Sequence, residues 1–537
     1  LTTLLVGGRV YNTAMPDATA MAVSDSPDGI VAWLGADDVG RRQFPDATVI
    51  DLDGGFVTPA FVDSHVHVTS TGLALVGLDL RSARSREDAL RLIGDHAREN
   101  PAGLIWGHGW DESRWPDPTP PTTADLDRLL GARPAYLARV DVHSAAASTA
   151  LRTLLPALPG AAGHHDQLPL TAEAHHLARA AARALLTPRQ RDQARHAALD
   201  HAARHGIAAV HECAGPEIGG MDDWLELRAV HHGVEVVGYW GEAVATAERA
   251  TALTAEAGLR GLAGDLFVDG ALGSHTAWLH EPYADAPDCR GNEYLDVDGI
   301  EAHVDACTAA GITAGFHVIG DAAVSAVVAA LARVVDRRGA PAVARCGHRL
   351  EHLEMVSGEQ AAQLGAWGVI ASVQPNFDAL WGGPDGMYAQ RLGADRASLL
   401  NPLALLASQG VPLAFGSDTP VTGMNPWETV RAATAHHTRG SALSARAAFA
   451  AATRGAWRAG GVRDGVAGTL SPGAPATYAV WDVPGGLDAL EVAAPADTVQ
   501  RWSTDPRSRI PALPSLAPDA PLPVCRQTVH RGAVIHG

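Results

Sequence analysis

The stretch Phe61-Val62-Asp63-Ser64-His65-Val66-His67 carries the reading of this chain. It follows Gly54-Gly55 and Thr58-Pro59, two turn signals, and so reads as a buried strand that begins after a proline. Residues two apart on a strand point to one face. His65 and His67 are therefore predicted to look into the same enclosed space. Two imidazoles so placed suit Zn, Fe, Ni or Cu better than Mg or Ca. Alone, a His-x-His pair is a weak motif, and its value depends on what surrounds it.

Outward from that strand, short apolar runs at 207–212, 234–240, 265–269, 312–318, 347–353, 369–375 and 411–418 alternate with alanine-rich helical patterns such as 323–335 and 358–364. With 61–67 they make eight strands. Eight parallel strands with helical returns predict an α/β fold of the TIM-type (β/α)8 class, with its active site at the C-terminal strand ends. The interval 70–200 is too long for one crossover and reads as an inserted subdomain after the first strand. Within it, 106–112 and the proline-rich 116–121 read as loop, and 170–204 as mostly helical. Residues 1–57 and 465–537 are β-rich pieces too small to bury a core singly. They are expected to pair in one small composite β-sandwich, leaving 58–464 as the barrel domain.

The chain has 41 basic and 60 acidic residues, a formal charge of −19, which argues against a nucleic-acid or anionic-membrane surface. No run reaches the ~20 apolar residues that span a bilayer. The start, Leu1-Thr2-Thr3-Leu4-Leu5, has no basic n-region, so no signal peptide is expected. Five scattered cysteines without CxxC spacing fit a reducing, cytoplasmic setting. The expected partner is a small-molecule substrate, and a homodimer is compatible with the sequence. The pairs His164-His165, His175-His176, His231-His232 and His436-His437 are expected to be surface or loop residues.

On the eight strands, possible ligands fall at the C-terminal ends: His65 and His67 on the first, His317 on the fifth, His352 on the sixth and Asp418 on the eighth. The ordered set "TPAFVDSHVH" at 58–67, "GHGWDESRWP" at 107–116, "VDGALGSHTA" at 268–277, "HVIGDAA" at 317–323, "RLEHLEM" at 349–355, "SVQPNF" at 372–377 and "FGSDTPV" at 415–421 resembles the amidohydrolase superfamily. It is most similar to family 3, which includes YtcJ-like and N-substituted formamide deformylase-like proteins. The resemblance implies that His65, His67, His317, His352 and Asp418 form a divalent-metal site of one or two ions. Zinc is the first expectation for this ligand mix.

One departure stands out. Binuclear members of the superfamily often bridge their metals with a carboxylated lysine, which the family pattern would put at position 265. This chain has Asp265 there, and its basic residues are all arginine. Arginine neither loses its proton nor forms a carbamate readily. Asp265 is one substitute bridge, Glu212 a second and Cys213 a third. The remaining outcome, slightly favoured, is a single ion held by His65, His67, His317 and Asp418, with His352 polarising water or substrate.

The implied activity is hydrolysis of a non-peptide C–N bond (N-formyl, N-acyl or cyclic amide) by metal-activated water, with Asp418 as general base and His352 assisting. Deamination of a ring amidine is the competing enzyme reading. A catalytically silent binding protein on the same barrel is the reading from another class. Trp110, Asp111, His143, His275 and Gln374 are the expected substrate-binding residues, with Tyr283, Trp381 and Asn376 as weaker additions. His275 stands where related sequences commonly carry arginine, so an anionic substrate group would be handled differently here.

Overall fold

A computed structural model describes residues 2–24, 29–491 and 511–537. The expected strand at 61–67 is formed over Phe61–Val66, with every residue buried. Seven more parallel strands follow in chain order: Ile207–Ala214, Glu235–Trp240, Gly261–Leu262, Thr313–Val318, Arg349–His352, Ile370–Val373 and Leu413–Phe415. The two edges of this eight-stranded sheet meet beyond the last strand. There Val66 bridges Thr419, and the Asp418 amide donates to the His65 carbonyl at 2.8 Å. Strands covered on both faces need near-continuous apolar sequence, which is why these runs are rich in alanine, valine and isoleucine. The expected helices are present as Asp321–Arg338 and Gly358–Ala366.

The fourth strand departs from expectation. The ladder covers only Gly261–Leu262, not 265–269. Gly264, at φ +78 and tight against Cys213, turns the chain out of the ladder. The backbone regains the sheet only through a bridge between Phe267 and His317. That detour carries Asp265 to the barrel mouth.

Both chain ends build the small sandwich. One sheet holds Ile30–Gly35, Ala20–Ser24, Thr2–Val6 and Thr48–Asp51; the other holds Arg9–Val10, Phe56–Pro59, Tyr478–Asp482, Val524–His530 and Ala533–His536. Phe56–Pro59 and Tyr478–Asp482 pair antiparallel, so the ends are interleaved in one sheet. Leu5, Val10, Met21, Val31, Val57, Val480 and Val529 fill the space within. Residues 492–510 of the second terminal piece and 25–28 of the first lie outside the described residues.

The insert is a five-stranded sheet ordered Leu170–Thr171, Ser144–Ala147, Ala135–Arg139, Ile105–Trp110, Leu78–Asp79. Most of 106–112, expected as loop, is thus a buried strand. Gly107 and Gly109 gave the loop signal, but here they allow close packing. A Cβ at Gly107 would lie 2.6 Å from Leu137, and one at Gly109 would lie 2.4 Å from Arg81. The helical reading of 170–204 corresponds to Ala172–Ala184 and Pro188–Arg204. Among the described residues, no helix is long and apolar enough to cross a membrane.

Candidate metal centre

Asp265 lies among the four imidazoles. Its Oδ1 is 3.4 Å from His65 Nε2, 3.6 Å from His317 Nδ1 and 3.9 Å from His352 Nε2, while its Oδ2 is 3.3 Å from His67 Nε2. Asp418 completes the cluster, with Oδ1 3.4 Å from His65 Nε2 and 3.2 Å from His67 Nε2. Its Oδ2 lies 4.0 Å from His352 Nδ1. All six residues are buried.

Three of the rings are fixed by a hydrogen bond on the nitrogen that faces away from Asp265. His65 Nδ1 donates to Glu351 Oε2 at 2.8 Å, His317 Nε2 to the Gly270 carbonyl at 3.1 Å, and His352 Nδ1 to Gln374 Oε1 at 2.8 Å. Committing one nitrogen as donor leaves the other with a free lone pair. His65 Nε2, His317 Nδ1, His352 Nε2 and Asp265 Oδ1 are all buried and have no hydrogen-bond partner. Buried polar atoms are normally satisfied, so several orphans converging on one point call for something that accepts lone pairs. A borderline divalent cation fits that donor set. The atoms fall into overlapping triads, including His65–His67–Asp265, His65–His352–Asp418 and Asp265–His317–His352.

The electrostatics agree. Burial pushes the Asp265 carboxyl up, but His65, His317 and His352 prevail and hold it well below the usual range. Asp418 is likewise lowered against burial, by His65, His67 and His352. Burial works against a charged His67, yet Asp265 and Asp418 raise it to about 9. Because imidazole binds a metal only through an unprotonated nitrogen, metal binding here would be coupled to proton release. Below the cluster, the Arg349 guanidinium contacts Glu351 at 2.5 Å and, against burial, holds its carboxyl far below the usual range.

Backbone conformation matters as much as alternation. On an ideal strand, Glu351 and His352 would face opposite ways. His352 has φ 70, so the chain twists and His352 reaches the cluster while Glu351 supports His65. Asp418 also sits in the left-handed region, at φ 53. Such conformations cost energy and collect at functional sites.

Other expected site residues are distributed unevenly. Glu212 stays outside the cluster. Its carboxylate accepts from the Val68 amide at 2.7 Å, and burial raises it to about 7. Cys213 groups with His65 and Glu351, away from the His317–His352 side, and burial pushes its thiol up to about 12. Trp110 donates to the Leu137 carbonyl inside the insert's core. Asp111 is occupied by Ser113, Arg139 and Trp381. His275 pairs with Asp285 at 3.0 Å, and Gln374 orients His352. Tyr283 bonds the Ala277 carbonyl, and Asn376 bonds Thr422 and Thr429. Two expected residues do face open space: His143, which borders both cavities at the mouth, and Trp381, which lines one.

The first cavity, about 560 Å³ including its open side, has His67 and Asp265 in its wall. The second, about 360 Å³, has His317, His352 and Asp418. Burial, with help from His317, pushes His143 well below the ordinary imidazole range, so it is neutral. The sequence reading missed Glu351 and Arg349, which support the cluster, and Arg179 and His176 of the first cavity. It also set His175-His176 and His436-His437 on the surface, whereas His175 and His436 are buried. Arg349-x-Glu351, with charges two apart on a predicted buried strand, was the available signal for the first pair.

Residues 48–536 match the sequence profile of the Amidohydrolase family. The Arabidopsis thaliana protein LONG AFTER FAR-RED 3 is 26% identical over 475 residues, covering 80% of this chain and 77% of the relative. The putative amidohydrolase YtcJ of Bacillus subtilis (strain 168) is 26% identical over 451 residues, covering 78% and 81%. An uncharacterized metal-dependent hydrolase from Pyrococcus furiosus superposes with a TM-score of 0.67 at 25% identity, covering 89% of this chain and 98% of that one. With the profile spanning most of its length, this chain belongs to the amidohydrolase family.

Proposed function

We propose that this protein is a metal-dependent hydrolase that cleaves a non-peptide C–N bond in an N-formyl, N-acyl or cyclic amide, with zinc the first expectation for the metal. In this reading His65, His67, Asp418, His317, His352 and Asp265 are the residues that would hold the metal, His65 and His67 on one side of Asp265 and His317 and His352 on the other. The observation that carries it is the set of orphaned, lone-pair-bearing atoms on both sides of Asp265. Because Asp265 contacts both histidine pairs, two ions are favoured over the single ion preferred from sequence.

When bound, a divalent ion supplies Lewis acidity, lowering the pKa of a water molecule from about 15.7 to about 7. The protein's own groups do the rest. Asp418, kept ionised by its imidazole neighbours, takes a proton from the attacking water as oxygen bonds to the amide carbon. It then passes that proton to the nitrogen as the C–N bond breaks, giving a carboxylic acid and an amine. Neutral His143, its ring 5.1 Å from that of His317, can donate a hydrogen bond to the carbonyl oxygen as charge develops.

The test combines metal analysis with amine detection on a panel of formamides, N-acyl amines and cyclic amides. Two equivalents of metal and amine release from at least one class are expected. Metal-loaded protein that releases no amine from the panel, but releases ammonia from ring amidines, would replace this reading with the deaminase.

A further inference from the structure

Four arginines are buried among the described residues: Arg139, Arg179, Arg195 and Arg349. Three have carboxylate partners. Arg139 meets Asp111, Glu112 and Asp141; Arg195 meets Asp223 and Glu226; Arg349 meets Glu351. Arg179 differs. It is 8% exposed, yet no carboxylate of the described residues lies within ion-pair distance of its guanidinium. Its Nη2 donates to the Glu217 backbone carbonyl at 2.5 Å, and its Nε is buried without a partner. The Glu217 carboxylate is instead 3.2 Å from His176. An unpaired buried charge is costly, and proteins retain one chiefly where a ligand completes it.

Arg179 lines the first cavity, the one with His67 and Asp265 in its wall. The second cavity contrasts sharply, with Leu272, Ile319, Phe377, Trp381 and Met387 giving it an apolar lining. The metal-ligand residues are divided between the two spaces, and His143 borders both.

We infer that Arg179 is a specificity residue that binds a substrate carboxylate, so that the substrate is an amide with a carboxylate on one side of the scissile bond and a large apolar group on the other. This rests on the hydrolase reading above and names its substrate class. The planar guanidinium fork matches a carboxylate in two parallel hydrogen bonds, and low exposure strengthens them. The amide would span the cluster, with its charged arm in the first cavity and its apolar arm against Phe377 and Trp381.

The experiment compares N-benzoylglycine with its methyl ester, and N-phenylsuccinamic acid with its methyl ester, on zinc-loaded protein. The two pairs present the carboxylate on opposite sides of the amide. Binding is measured by calorimetry and cleavage by amine release. In at least one pair the acid is expected to bind roughly tenfold or more tighter than the ester, and Arg179→Met is expected to erase that preference. Arg179→Met is also expected to keep or raise Tm, since it removes an uncompensated buried charge, whereas loss of a structural arginine would lower it. Equal binding of acid and ester in both pairs, a preference that survives Arg179→Met, or no binding at all would overturn the carboxylate site. An acid bound through Arg179 but not cleaved would leave the site standing and count against the hydrolase reading.

Discussion

Two clusters of buried charge meet the second cavity, and they are built in opposite ways. Around Arg139, each guanidinium nitrogen has a carboxylate partner: Nε donates to Glu112 at 2.9 Å, Nη1 to Asp141 at 2.8 Å and Nη2 to Asp111 at 3.2 Å. Around Asp265, comparable burial leaves His65 Nε2, His317 Nδ1, His352 Nε2 and Asp265 Oδ1 unpaired. The first cluster is complete as folded and fastens the insert's sheet to the segment 111–112. The second leaves converging donor atoms unpaired, the arrangement on which the metal proposal rests. Buried charge by itself therefore does not single out a candidate site in this protein; the unpaired donor atoms around Asp265 do.

The sharpest way to break this contrast is to alter the incomplete cluster. Asp418→Asn is expected to cut turnover by about 10²–10⁴-fold while keeping most of the metal, as removal of a general base does. Asp265→Ala is expected to lose at least one equivalent of metal as well as activity. Retention of both metal equivalents in Asp265→Ala, measured by elemental analysis, would remove Asp265 from the shared position.

The satisfied cluster should respond in the other currency. Arg139→Met leaves Asp111, Glu112 and Asp141 buried without their cation and is expected to cost about 3–5 kcal/mol of stability in denaturant unfolding. Metal content per folded molecule should not change. A loss of metal without a loss of stability would mean that the two clusters are not separable.

Glu351 tests the border between them, because it is fully hydrogen-bonded yet touches His65. Glu351→Gln is expected to weaken metal affinity by about 10–100-fold, the usual cost of losing a partner that orients a ligand. Titration with a competing chelator would measure it.

The smallest effect concerns Glu212. Its folded-state value of about 7 lies above the ordinary 4.5, so the folded state binds this proton more tightly than the unfolded one. Stability is then expected to fall as pH rises from about 4.5 to 7, by on the order of 1–3 kcal/mol from this group. Glu212→Gln keeps an acceptor for the Val68 amide and should flatten that slope in pH-dependent thermal unfolding.

The legible parts of this protein were those governed by local rules. Alternation placed His65 and His67 together, and apolar runs separated by helical patterns announced seven of the eight barrel strands. Where local signals misled, packing had reassigned them. Gly107 and Gly109 suggested a loop because glycine usually frees the backbone, yet here they let Leu137 and Arg81 approach a strand. Gln374, expected as a substrate contact because it ends a strand at the mouth, gives its oxygen to the His352 ring while its Nε2 stays buried without a partner among the described residues. Arg179 gave no signal, since nothing in an alanine-rich helix distinguishes a paired arginine from an unpaired one.

Sequence alone set His65 and His67 on one strand face and located seven of the eight barrel strands, because alternation and apolar runs are properties of neighbouring residues. Only the tertiary structure decided that Asp265, not Glu212 or Cys213, stands between the histidine pairs. That outcome turns on the backbone reversal at Gly264 and on which buried groups already have partners, and both are settled by contacts between segments distant in the chain.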